Sequence, residues 1–215
     1  AGAGPPVGMT CAHCGRPMNV GGPLWTAPLQ DVDFVDALSA RLSSDEGADF
    51  ASRRRLAGLL ANVGEELPDV PLFTHLPTLC STLKLNTPPL VSVFSALVKQ
   101  GYHVSRSHTD PMAIKTDAPY DALYDVLRCW ATNTSLNGAQ AKKAQDADDT
   151  PGAAILAVPP KTQADFSPHP DVEKMLSKDL NGPRFMPNPA RWGPGTKGRA
   201  KIHVADSDAP TRPSG

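Results

Sequence analysis

The sequence predicts an α+β fold: a helical pair leading into a winged-helix-like unit with a two-stranded ribbon, a cysteine knuckle ahead of it and an extended basic tail behind. Three observations predict this. Apolar residues recur at helical spacing in successive stretches between Leu29 and Ala131. Among them lies an alternating run, Tyr102-His103-Val104-Ser105-Arg106, which turns at Thr109-Asp110-Pro111 and returns as Ala113-Ile114-Lys115-Thr116, the pattern of two paired strands. Beyond Asn133 the period stops, and Pro and Gly punctuate the chain to its end.

The first predicted helix starts after Asp31, a side chain able to cap its free N–H groups, and carries Phe34, Val35, Leu38 and Leu42 on one face. Ser43-Ser44-Asp45-Glu46-Gly47 ends it. The second spans Ser52 to Glu66, with Leu56, Leu59, Leu60 and Val63 as its apolar set. The Pro residues of Leu67-Pro68-Asp69-Val70-Pro71 break it by removing donors and disfavouring helix in the residues before them. A short helix, Leu76 to Leu83, then leads through the turn Lys84-Leu85-Asn86-Thr87 into another that starts at Pro88-Pro89, with Thr87 as its N-cap, and stops at Gly101. After the ribbon a last helix runs from Pro119 to about Ala131. Helix, turn, helix and ribbon in that order are the winged helix-turn-helix pattern, which a generic small α+β core also satisfies.

This divides the chain into a cysteine knuckle and Gly/Pro-rich lead-in at 1–28, a helical and winged-helix-like domain at 29–132 and a linker at 133–154. A short strand (from Ile155-Leu156-Ala157-Val158) and an extended basic-aromatic segment fill 155–205, and a disordered tail 206–215. A net charge of −1 excludes bulk electrostatic affinity for nucleic acid, so any basic surface is local. No apolar run approaches the roughly 18 residues of a membrane span, and Ala1 to Gly8 has neither part of a signal peptide. An opening on Ala-Gly-Ala-Gly beside a cysteine pair, without Met, reads as a fragment or a processed product.

Cys11-Ala12-His13-Cys14-Gly15 has the spacing of a metal knuckle, two thiolates with a Gly that lets the backbone turn beneath the metal. Tetrahedral zinc needs four ligands, so the pair reads as a zinc half-site; a reduced dithiol and an inert loop stay open. Cys80 and Cys129 lie in apolar helical contexts and read as buried free thiols. Arg106, His108 and Lys115 fall on the ribbon, where a wing meets a nucleic-acid backbone, or are ordinary exposed strand polars. Arg53-Arg54-Arg55 reads as a phosphate contact or a solvated face. Between Gly182 and Ala205 stand Arg184, Arg191, Lys197, Arg199 and Lys201 with no acidic residue, and with Phe185 and Trp192 interleaved. Such cations supply phosphate affinity and the aromatics offer faces to unpaired bases. No glycine-rich strand-to-helix turn for a nucleotide is present, and no catalytic residue is nominated.

Taken in order, several blocks carry a family resemblance. They are Cys11–Gly15, Gly21-Gly22-Pro23-Leu24-Trp25, Glu65 to Leu72, Thr87-Pro88-Pro89, Val104-Ser105-Arg106-Ser107-His108, Ile114 to Pro119, Arg128-Cys129-Trp130 and Trp192-Gly193-Pro194-Gly195-Thr196. Together the chain resembles the carboxy-terminal region of tRNA (guanine(26)-N2)-dimethyltransferases. The resemblance implies an S-adenosylmethionine-dependent enzyme whose Rossmann-like catalytic domain lies upstream and is absent here. It implies Cys11 and Cys14 as zinc ligands, completed by an upstream cysteine pair. It further implies tRNA as partner, with Lys115, Thr116 and the Trp192 segment on the tRNA-facing surface, a monomer, and a nuclear or mitochondrial location. A free-standing winged-helix DNA-binding or protein-interaction module is the alternative.

Overall fold

The computed structural model describes residues 8, 10–19, 21–47, 50, 52–133, 150–177 and 184–186. Those up to Phe185 belong to one compact unit, and of a second, Met186–Gly215, only Met186 is described. The fold is mixed α+β. The helical pair is α1 (Val32–Ser43) and α2 (Arg53–Glu65), joined through a short 3-10 turn at Asp45–Gly47. Then follow β1 (Thr74–His75), α3 (Leu76–Thr82), α4 (Leu90–Lys99), β2 (Val104–Arg106), β3 (Ala113–Thr116), α5 (Tyr120–Thr132), α6 (Pro151–Ala157) and α7 (Pro170–Leu176).

Local chemistry explains most boundaries. Asp31 caps α1, its Oδ1 accepting from the Phe34 N–H at 3.0 Å. Helix α4 stops at Gly101, whose φ of +89° is a conformation that suits glycine. The ribbon forms as the alternation predicts, antiparallel with Val104 opposite Thr116 and Arg106 opposite Ile114. It is not merely two-stranded, however: β1 pairs with β3, Thr74 opposite Ile114, giving the order β1-β3-β2. A strand of two residues has no alternation for a sequence to display.

Other expectations are corrected. Thr87 does not cap α4, which begins at Leu90 after Pro89; its side chain lies near Cys80, whose thiol burial drives up to about 11. Ile155 and Leu156 lie in a helix, not a strand, and that helix starts inside the stretch expected to be a linker. Thr150 caps it, accepting from the Ala153 N–H at 3.2 Å, and Pro151 fixes its first turn. The segment beyond Pro159 is likewise not extended throughout, because His169 caps α7 and Pro170 opens it.

The core is formed by α3, α4, α5 and β3, with α6 and α7 packed onto it. Leu76, Leu83, Val93, Phe94, Leu97, Val126 and Leu127 are fully enclosed. Gly152 lets α6 approach α3 closely, since a Cβ there would meet the Thr82 carbonyl oxygen at 2.4 Å. A buried polar staple fixes the same region. The Asp125 carboxylate accepts from Arg128 at 2.7 Å and from the Lys161 and Thr162 N–H groups at 3.0 and 3.2 Å, while Arg128 Nε donates to the Ile155 carbonyl at 2.8 Å. Each buried charge is thus paired, the condition under which burial is tolerated.

Candidate nucleic-acid interface

The expected ribbon cations lie against the C-terminal end of α2, where two consecutive carboxylates, Glu65 and Glu66, meet the sheet. Glu66 is 4% exposed. Its carboxylate takes Lys115 Nζ at 2.8 Å, the Ser107 hydroxyl at 3.2 Å and the His108 N–H at 3.1 Å, and lies 2.6 Å from His108 Nδ1. Burial pushes the Glu66 carboxyl up, but the Lys115 and His108 hydrogen bonds together outweigh it and hold the group below its ordinary range. Lys115 also donates to the Leu67 carbonyl, and the Ser105 hydroxyl accepts from the Leu67 N–H at 3.0 Å.

This corrects the reading of Lys115 as a phosphate contact. Its side chain is 1% exposed, and its ammonium neutralises Glu66 inside the fold. Thr116 is half-buried, and its hydroxyl accepts from the Ala118 N–H at 3.1 Å to shape the turn into α5. His108 keeps an exposed ring edge beside Glu66.

Arg106 and Arg184 come together although 78 residues separate them in sequence. The Arg184 guanidinium engages both oxygens of Glu65, one at 2.6 Å, and the Asn62 amide donates to the Arg184 carbonyl at 3.1 Å. Phe185 lies under Arg106, with the guanidinium carbon 5.9 Å from the ring centroid. Burial, then the neighbouring Arg184 charge, lowers the basicity of Arg106, partly offset by Glu65. Its Nε is buried without a partner among the described residues. Arg191, Trp192, Lys197 and Arg199 lie outside the described residues.

The sequence reading overlooked Asn62, Glu65 and Glu66. Its available signal was the carboxylate pair at a helix C-terminus, a position the helix dipole disfavours unless cations lie close.

Cys11 to Gly15 form a tight turn. Cys11 N–H donates to the Arg16 carbonyl at 2.7 Å, Gly15 N–H to the Cys11 carbonyl at 2.9 Å, and Gly15 adopts a φ of +69°. Backbone N–H groups of His13 and Cys14 point at the Cys11 sulfur and hold its thiol below the usual range. The His13 ring meets Tyr124 edge-on at 4.8 Å and its Nδ1 lies 3.3 Å from Asp121. Two thiols do not fill a tetrahedral zinc site, and no group of three or more metal-ligating side chains is found among the described residues. Cys80 and Cys129 are buried free thiols.

Among the described residues no helix is long and apolar enough to cross a membrane. The family model for N2,N2-dimethylguanosine tRNA methyltransferase matches residues 4–128. A tRNA (guanine(26)-N(2))-dimethyltransferase of Mus musculus is 39% identical over 97% of this chain and 30% of its own length. One from Schizosaccharomyces pombe is 40% identical over 95% of this chain and 37% of its own. The chain therefore spans about a third of these relatives. A solved complex of Trm1 from Pyrococcus horikoshii with S-adenosyl-L-methionine is 33% identical, covering 49% of this chain and 27% of that one, at a TM-score of 0.44.

Proposed function

This chain belongs to the N2,N2-dimethylguanosine tRNA methyltransferase family, and from that premise we propose that it is the tRNA-holding part of a tRNA (guanine(26)-N2)-dimethyltransferase. The remaining two thirds of the relatives' length would supply the Rossmann-like domain, the S-adenosylmethionine site and the catalytic residues. The role of this part is to fix the register of the tRNA body, because phosphate contacts orient a nucleic acid while chemistry on a base requires that base to be exposed.

The observation that carries the holding role is the run from Arg184 to Ala205, basic, aromatic and free of acidic residues, entered from Arg184 and Phe185 against the ribbon. On this reading Arg106, His108, Thr116 and Arg184 are tRNA contacts, Lys115 supports them from within, and the basic run contributes Arg191, Trp192, Lys197 and Arg199 as further contacts. Cys11 and Cys14 are then two of four zinc ligands, the others coming from elsewhere in the protein. A monomer in the nucleus or mitochondrion is the matching cellular setting.

The order α3, α4, β2, β3, with β1 on β3, supports a winged-helix-like reading of the middle unit. The helix that would enter a DNA groove in such a unit is α4, and its residues Val93 to Leu97 are buried. Helix α7 covers it, with Lys99 bonded to Asp165 at 2.8 Å and the Ser95 hydroxyl accepting from the His169 N–H at 2.9 Å. That cover argues against major-groove reading and in favour of structured RNA. Competition between labelled tRNA and a duplex DNA of equal charge at fixed salt tests the assignment. Preference for tRNA is expected, and preference for the duplex would overturn it.

A further inference from the structure

Arg184 and Arg106 are adjacent cations that the fold treats differently. Glu65 is engaged by Arg184 through both oxygens. Arg106 has no carboxylate paired with it among the described residues; it rests on the Phe185 ring, half-buried, with an unpartnered Nε. A desolvated guanidinium beside a second one, without its own counter-anion, favours a bound anion. The guanidinium carbon lies over the Phe185 ring, and a guanidinium so placed presents a fork of N–H donors matched to an oxyanion.

We propose that Arg106 is a phosphodiester-binding residue for tRNA, and that Arg184 is a positioning residue that occupies Glu65 and so keeps Arg106 unpaired. The proposal rests on the tRNA-holding reading above and divides two cations it had treated alike. Phe185 is the platform that orients the Arg106 fork. Glu65 is the competitor: released from Arg184, it captures Arg106 and silences the subsite.

The distinguishing measurement is a salt titration of tRNA binding by the full chain, using a tRNA transcript and fluorescence anisotropy. Arg106→Ala should weaken binding about tenfold and reduce the slope of log affinity against log salt by about one, as for a lost phosphate contact. Arg106→Lys, which keeps the charge, should retain the slope and keeps the test open if the alanine variant unfolds. Arg184→Ala should weaken binding as much as Arg106→Ala does. Adding Glu65→Gln to Arg184→Ala should restore affinity to within about threefold of the wild type, because no carboxylate is left to capture Arg106. Failure of that rescue would mean that Arg184 itself contacts phosphate, and the positioning role would fall. An unchanged slope in Arg106→Ala would remove the subsite altogether. If the unsubstituted chain does not bind tRNA, the holding role fails first, before any variants are compared.

Discussion

Helices α4 and α2 are of similar length and carry comparable numbers of apolar residues, yet they are built on opposite plans. Helix α4 is buried through its middle, with Val93, Phe94, Ala96 and Leu97 completely enclosed and Leu90, Val91 and Val98 half-buried. Helix α2 exposes two of the four residues that its periodicity nominated, Leu56 at 36% and Leu59 at 40%, half-buries Leu60 and Val63, and fully buries Gly58 and Asn62. The carboxylate following it, Glu66, is buried too. The difference separates two sources of order: α4 is held by hydrophobic packing, whereas the inner face of α2 is held by specific polar partners, Asn62 to Arg184, Glu65 to Arg184 and Glu66 to Lys115 and His108. A helix that buries its polar face is organised around particular partners, and in this chain those partners include the cations considered for tRNA.

The contrast can be broken by substitution. Phe94→Ala in α4 should be among the most damaging single changes, costing about 3–5 kcal/mol for a large aromatic removed from an enclosed core, read by denaturant unfolding. Glu66→Ala should cost a similar ~3–5 kcal/mol, because it strands the Lys115 ammonium inside the fold.

The two large losses differ in pH dependence. The Glu66 carboxyl is held below its usual value of 4.5 in the folded state, so its contribution is fully present above that value and is lost as pH falls through the depressed one. Unfolding curves of the parent chain should therefore show a loss of stability below about pH 4.5 that is reduced in Glu66→Ala and kept in Phe94→Ala.

Smaller effects sharpen the comparison. Thr150→Ala removes the cap of α6 and should cost about 1 kcal/mol in thermal unfolding. Leu59→Gln on the outer face of α2 should stay within about 0.5 kcal/mol, although the same residue type in α4 is indispensable. A loss above about 2 kcal/mol at Leu59 would mean that this face is covered and that the proposed inversion of α2 is wrong.

Legibility in the sequence follows the same division. Elements defined by local chemistry were readable: Asp31 before α1, Gly101 after α4, the alternation of β2 and β3, and the bounds of α2 and α5. Helix α6 departs from the expected strand because a run of four apolar residues fits either element, and the cap and first-turn pair Thr150-Pro151 decides for helix. What could not be read was pairing across distance. Nothing local to Lys115 says that Glu66, 49 residues away, will bury and neutralise it. Nothing local to Arg106 says that Glu65 will be taken by a residue near position 184. Of the candidate site, the residue types were legible in the sequence, but the difference between a structural cation and an available one was not.

The central claim is that tRNA is held through the basic run that starts at Arg184. The most direct test replaces Arg191, Lys197, Arg199 and Lys201 by Ala in the full chain and measures tRNA affinity across a salt series. Four lost phosphate contacts should lower the slope of log affinity against log salt by about three and weaken binding by orders of magnitude at low salt. An unchanged slope and affinity would contradict the claim and assign tRNA, if it binds at all, to another face of the molecule.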